Sequence, residues 1–128
     1  MADQADLARE LLGLARDDLA AADALIDVAR VTDAIVGFHA PQAAEKALKA
    51  ALAGGGHDFP FTHNLSTLLQ LCEDAELELP ATLESVDSLT PYGVAGRYGA
   101  RSAGPVDRAA ALALATAAVA WASTLVDE

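Results

Sequence analysis

The stretch FHAPQAAEKALKAAL, Phe38 to Leu52, decides how the rest of the sequence is interpreted. On a helix, Phe38, Pro41, Glu45, Leu48 and Leu52 share one face, so the carboxylate of Glu45 interrupts an otherwise apolar stripe. A buried carboxylate is costly unless it has a charged or hydrogen-bonding partner. The stretch therefore predicts a core-facing helix with one acid that needs a partner.

Several cations could neutralise Glu45. Lys49 lies one turn on, in the favourable order of glutamate before lysine, and Lys46 or an arginine from elsewhere in the chain could also serve. Gln42 borders the same stripe. The alternative is a solvated pair of Glu45 and Lys49 at the edge of the stripe, which would contribute little to stability. Helical spacing leaves both arrangements open.

The sequence on either side of this stretch predicts further helices. Apolar residues recur at helical spacing, capping residues precede several of these segments, and the alternating pattern of strands is absent. An alanine-rich chain favours closely packed helices, and 128 residues suffice for one core. We expect one domain, residues 1–128, that is an all-α up-and-down bundle of about five helices. Their approximate bounds are 3–29, 33–53, 64–74, 83–89 and 106–126.

The second predicted helix contains a proline, and the fourth is supported by few residues. Pro41 either kinks the second helix or marks a late start near Gly37, because proline disfavours a helix interior. The fourth helix is predicted from three apolar residues alone, and we expect it to end before Pro91. These residues are Leu83, Val86 and Leu89.

Charge and cysteine content narrow the function classes. Nineteen acids against eight bases give a net charge of -11, which disfavours non-specific nucleic-acid binding. Cys72 cannot form an internal disulfide, and its apolar neighbours predict a buried thiol. The acidic start of the sequence does not resemble a secretory leader. These features together favour a cytoplasmic protein.

The run from Ala109 to Val126 contains 18 residues without a charge, which is the lower length limit for a membrane span. Alanine, threonine and serine make up much of it, and no basic residue follows to fix an orientation. We expect a helix buried in the bundle and no membrane association.

Familiar catalytic motifs are absent from the sequence. There is no phosphate-binding glycine loop followed by lysine, no dinucleotide fingerprint and no serine elbow. The three histidines lack the spacing of a helical metal site, so we expect loop or cap residues and no metal. They are His39, His57 and His63.

The stretch from Phe38, the THNLSTLLQL segment that begins at Thr62, and the pair Arg97-Tyr98 together resemble the HEPN family, the higher-eukaryote and prokaryote nucleotide-binding domains. The resemblance covers about residues 5 to 125. It implies a bundle of mostly antiparallel helices that commonly forms a homodimer. It also implies pairing with a minimal nucleotidyltransferase in toxin–antitoxin systems or related modules.

The sequence departs from the family at two positions. HEPN ribonucleases carry an arginine followed, after four to six residues, by a histidine, and here no histidine occurs after His63. The proline that often follows the Arg-Tyr pair is Gly99. The first departure removes the residues expected to activate a ribose hydroxyl and stabilise a phosphate. We therefore expect no catalytic residues and no enzymatic activity.

The segment TPYGVAGRYGARSAGP, Thr90 to Pro105, has two arginines, no acid and four glycines. Arg97 and Arg101 could form an anion site with converging backbone N–H groups. The favoured alternative is that Arg97 turns inward to pair with Glu45 and that the rest of the segment is a hinge, because two arginines attract phosphate weakly in an acidic chain.

These considerations give one leading hypothesis and two alternatives. We expect a non-catalytic HEPN-like homodimer that binds a nucleotide or partners a nucleotidyltransferase, with no cofactor beyond a possible nucleotide. The alternatives are a ribonuclease with a non-standard site and a purely structural dimer. The candidate binding residues are Gln42, Glu45, Lys46, Lys49, Tyr92, Arg97, Tyr98 and Arg101.

Overall fold

The computed structural model describes residues 3–90 and 107–126, and within these ranges the chain contains helices and turns but no strand. The all-α bundle expected from the sequence is confirmed. The described α-helices are α1 (Gln4–Leu25), α2 (Asp33–Gly54), α3 (Leu65–Asp74) and α4 (Arg108–Leu125). Two short 3-10 turns, Ala81–Leu83 and Val86–Leu89, follow α3.

Each of these four α-helices begins at a side-chain cap. An Asp, Thr or Asn oxygen accepts a hydrogen bond from the backbone N–H three residues on, which satisfies a donor that has no partner within the helix. The donor–acceptor distances range from 2.9 Å at α1 to 3.4 Å at α2. The capping residues are Asp3, Thr32, Asn64 and Asp107.

The predicted bounds of the second helix are nearly correct. α2 begins at Asp33 and continues through Pro41 to Gly54, so a late start near Gly37 is wrong. Gly54 permits a close approach of two chain segments, since a Cβ at this position would lie 2.9 Å from the carbonyl oxygen of Leu125. The C-terminal ends of α2 and α4 therefore meet at this glycine.

The predicted fourth helix, residues 83–89, is not one continuous helix, because two short 3-10 helices occupy this part of the chain. Leu83, Val86 and Leu89 are fully buried, but they lie on the two 3-10 turns. Their spacing of three residues matches the three residues per turn of a 3-10 helix as well as one face of an α-helix. The apolar pattern thus identified the buried residues without distinguishing the two helix types.

α2 is the central element of the bundle and packs against α1, α3 and α4. Because neighbours cover it on several sides, almost its whole C-terminal half is buried, and most of those buried positions are alanines. Small side chains allow the helix axes to approach closely. This burial makes any charged residue on α2 exceptional.

α4 is the one described helix that is long and apolar enough to cross a membrane by length and composition, with a mean hydropathy of 1.3. Its inner face, which includes Ala115, Ala118 and Ala122, lies in the core of the bundle. A core helix meets the same length and composition test. About one third of the helix is buried, so an apolar outer face remains accessible.

Candidate functional site

Four of the predicted binding residues form one polar stripe on α2. Gln42, Glu45, Lys46 and Lys49 are separated by three or four residues, so their side chains leave adjacent turns of the helix on the same side. Glu45 and Lys49 are buried, whereas Gln42 and Lys46 are half-buried. The stripe therefore contains charged residues both in the core and nearer the surface of the bundle.

Glu45 lies at the buried part of this stripe, with 5% of its surface exposed. One carboxylate oxygen, Oε2, is 3.3 Å from Nζ of Lys49. The same carboxylate accepts from Nδ1 of His63, at 3.1 Å to Oε2 and 3.2 Å to Oε1. The solvated arrangement considered from the sequence is thus wrong: the pair of Glu45 and Lys49 is buried, and His63 adds a second donor.

Lys46 belongs to a separate ion pair at the interface of α1 and α2. Its Nζ donates to Oδ2 of Asp18, and Nδ1 of His39 lies 3.4 Å from Oδ1 of the same carboxylate. All three side chains are largely shielded from solvent. Both lysines of the stripe are therefore held by carboxylates of the protein itself. The prediction that His39 is a loop or cap residue is wrong, because His39 lies inside α2.

The other four predicted site residues lie outside the described residues. They are Tyr92, Arg97, Tyr98 and Arg101, and the predicted pair of Glu45 with Arg97 lies outside the described residues with them. The structure therefore brings together the α2 half of the predicted site, with His63 in addition.

The loop between α2 and α3 carries a row of rings that the sequence analysis missed. His57, Phe59, Phe61 and His63 occupy alternate positions, and the first two are half-buried while the last two are exposed. The rings of Phe61 and His63 are 5.3 Å apart and nearly perpendicular. The alternation of ring side chains with Asp58, proline and threonine was a visible signal for this row.

Arg108 joins the start of α4 to the loop between α1 and α2. Its Nε donates to Oδ1 of Asp33 at 2.7 Å, and Nη1 lies 3.2 Å from the carbonyl oxygens of Leu25, Ile26 and Val28. Nη2 donates to a further carbonyl of the same loop. This arginine is thus bound to backbone acceptors and an acid of the protein.

Neither metal binding nor thiol chemistry finds support among residues 3–90 and 107–126. No group of three or more histidine, cysteine or acidic residues is placed there to hold a metal ion. Cys72 is buried as expected, and desolvation, followed by the charge of Glu73, raises the pKa of its thiol to about 12. A thiol with so high a pKa remains protonated and is a poor nucleophile at neutral pH.

Comparison with known proteins gives one match. A family model described as HEPN domain matches residues 8–125. No curated protein and no solved structure matches the chain. The matched range includes α1 from Ala8 onward, α2 with its polar stripe, the ring-bearing loop, α3 and α4. Since the match spans nearly the whole all-α chain, the protein belongs to the HEPN-domain family.

Proposed function

We propose that this HEPN-domain protein acts by binding and not by catalysis, as a homodimer that recognises a nucleotide or a minimal nucleotidyltransferase in a toxin–antitoxin-like module. The observation that carries the proposal is the pairing of positively charged side chains with acids of the same protein. Among the described residues, Lys46, Lys49 and Arg108 are each bound to an acid of the protein itself.

Ion pairing of these cations argues against a role in phosphoryl chemistry. A cation that stabilises a transition state must direct its hydrogen bonds at the substrate, and these groups direct theirs at Glu45, Asp18 and Asp33. The sequence also lacks a histidine downstream of its last arginines. Both facts support a binding role.

The outer face of α4 supports self-association. Ala109, Ala113, Thr116 and Ala120 lie on one side of the helix and are exposed, so the outer surface is flat and has no charge. Beside it, a groove of about 340 Å³ runs between α1 and α4. It is lined by Arg16, Leu19, Ala20, Asp23, Leu112 and Thr116. A flat apolar face beside a groove fits a second helix, which a copy of the same chain can supply.

Capture from the native host tests the proposed partner. The tagged protein is expected to retain a small nucleotidyltransferase, identified by mass spectrometry, in a fixed molar ratio that survives a wash with high salt. The matched control is the tagged protein unfolded and immobilised. Recovery of no nucleotidyltransferase, with the tagged protein folded and abundant, would count against the partner.

A ribonuclease with a non-standard site is the second candidate function. One described feature favours it: the exposed imidazole of His63 is oriented by a buried carboxylate, as histidines in catalytic pairs are. If this reading were correct, the purified protein would cleave RNA and His63→Gln would abolish the cleavage. The binding hypothesis expects no cleavage from either protein.

A further inference from the structure

We propose that the exposed rings of Phe61 and His63 form a site that binds a nucleobase with an amino group, such as adenine. The inference rests on the proposed nucleotide binding and gives it a location that the sequence analysis did not predict.

Phe61 offers an open ring face. Its side chain is 94% exposed, the most exposed large apolar residue among those described. Pro60 restricts the backbone before it, and the adjoining residues are fixed by a hydrogen bond from Asn64 N to Thr62 Oγ1 at 3.1 Å. The ring therefore projects from the loop into solvent, where a planar ligand can stack on it.

His63 supplies a hydrogen-bonding atom beside that ring face. A carboxylate only accepts hydrogen bonds, so Nδ1 of His63 donates to Glu45, and Nε2 of an uncharged imidazole is then the acceptor that a ligand can reach. The His63 side chain is 68% exposed while its anchor Glu45 is 7% exposed. The buried carboxylate thus fixes which nitrogen of the exposed imidazole can accept from a ligand.

The two rings together select a class of ligand. A base stacked on Phe61 would place its edge near the imidazole, because the rings are 5.3 Å apart at an interplanar angle of 76°. Adenine and cytosine present exocyclic amino donors at such an edge, whereas uracil presents a carbonyl acceptor at the same position and donates only through its ring N3–H. An acceptor at Nε2 therefore favours amino-bearing bases over uracil.

Local charge does not repel such a ligand. Glu45 is neutralised by Lys49 at 3.3 Å, and the nearby Asp58 accepts from Nε2 of Gln4 at 2.9 Å. Lys49 also lies 5.9 Å from the ring centre of Phe59, which packs beneath the exposed part of the loop. The neutral amide of Gln4 adds no counter-charge to Asp58, and Lys49 is already paired with Glu45, so the base and not the phosphate is expected to supply most of the binding.

Two-dimensional NMR titration tests the site, with adenosine and uridine as neutral probes and AMP as the charged probe. Adenosine is expected to shift backbone amides around residues 57 to 65 and to bind more tightly than uridine. Phe61→Ala should weaken adenosine binding about tenfold, the loss expected for one stacking ring. His63→Phe keeps a ring but removes both nitrogens, so it should abolish the preference for adenosine over uridine.

The control is Ile35→Ala, which truncates another exposed apolar residue near the opposite end of α2 and should leave binding unchanged. Unchanged affinity of Phe61→Ala, or adenosine shifts confined to other parts of the chain, overturns the site. Binding of AMP elsewhere while adenosine is silent overturns the site but leaves the proposed nucleotide binding intact. Absence of binding by all three probes overturns both.

Discussion

At the scale of single residues, Glu45 is the described charged group whose substitution is expected to change the stability of the fold most. It lies in a helix that is otherwise packed by alanine and leucine, its charge is balanced by Lys49, and His63 donates a further hydrogen bond to it. A buried pair of this kind contributes little net stability, but loss of one partner leaves the other charge buried and uncompensated. Substitutions at Glu45 and at Lys49 should therefore be costly and strongly coupled.

We expect Glu45→Gln to lower the free energy of unfolding by about 3 kcal/mol, because Lys49 would lose its counter-charge. Lys49→Met keeps the apolar stem and should lower it by a similar amount, and the double variant should recover at least about 1 kcal/mol of the summed loss. Chemical denaturation of the four proteins measures the coupling. Asp6→Asn, in the exposed pair with Arg9, is the control and should cost less than about 1 kcal/mol. Additive losses would contradict the buried pair.

Cys72 provides a test of burial that uses pH. Its pKa is raised from 9.0 to about 12, so the native thiol keeps its proton at pH values where the unfolded thiol has lost it. The resulting contribution to stability is complete below pH 9 and is lost as the pH rises toward 12. At pH 9 a thiol reagent should label Cys72 only after denaturant is added. Rapid labelling of the native protein at pH 9 would contradict the burial of Cys72.

The sequence identified Glu45 as an acid on an apolar stripe, with a buried and a solvated arrangement both open, but it did not indicate the histidine partner. Glu45 stands out because it interrupts a periodic apolar stripe, which is a local pattern. His63 is 18 residues away in a loop, and no periodicity relates a loop residue to a helix face. Only the path of the chain from Gly54 to Asn64 brings the imidazole back to the carboxylate.

At the scale of elements, the segments that connect the helices differ from the sequence-based prediction more than the helices themselves do. α1 was expected to continue to residue 29, but it ends at Leu25. The segment from Leu25 to Val31 instead turns its carbonyl groups toward Arg108. A residue 77 positions or more away in sequence thus helps to fix this turn, and local propensity cannot reveal such a contact.

Arg108→Lys should destabilise the protein by about 2–3 kcal/mol, because an ammonium group cannot reach Asp33 and several carbonyl oxygens at once. Arg30→Lys makes the same change at an exposed arginine in the same loop and should alter stability by less than about 0.5 kcal/mol. Thermal and chemical unfolding measure both. Equal, small effects of the two substitutions would show that Arg108 does not secure the loop.

At the scale of the whole molecule, apolar surface is distributed unevenly. α2 is enclosed by the bundle, whereas α4 is fully buried over about one third of its residues and keeps an exposed side. The alanine content of the sequence predicted close packing correctly. It could not predict which helix would be central, because α2 and α4 are both rich in alanine and the more apolar of the two, α4, is the less buried.

The homodimer should be visible by sedimentation at micromolar concentration, with a mass near twice the 13.1 kDa of the chain. Ala113→Glu places a charge on the exposed face of α4 and should shift the protein to monomer without unfolding it. Ala24→Glu makes the same change at an exposed position of α1 and should leave the dimer intact. A wild-type monomer under these conditions would contradict the dimer, and dissociation by both variants would contradict its placement on α4.

The central claim is that this HEPN domain works by association and not by cleavage, and its most direct test is an RNA cleavage assay. Purified protein is incubated with single-stranded and structured RNA at neutral pH, with and without Mg²⁺, and the products are resolved by gel. The account predicts intact RNA for the wild-type protein, for His63→Gln and for Arg97→Ala. Cleavage by the wild-type protein that disappears in either variant would contradict it.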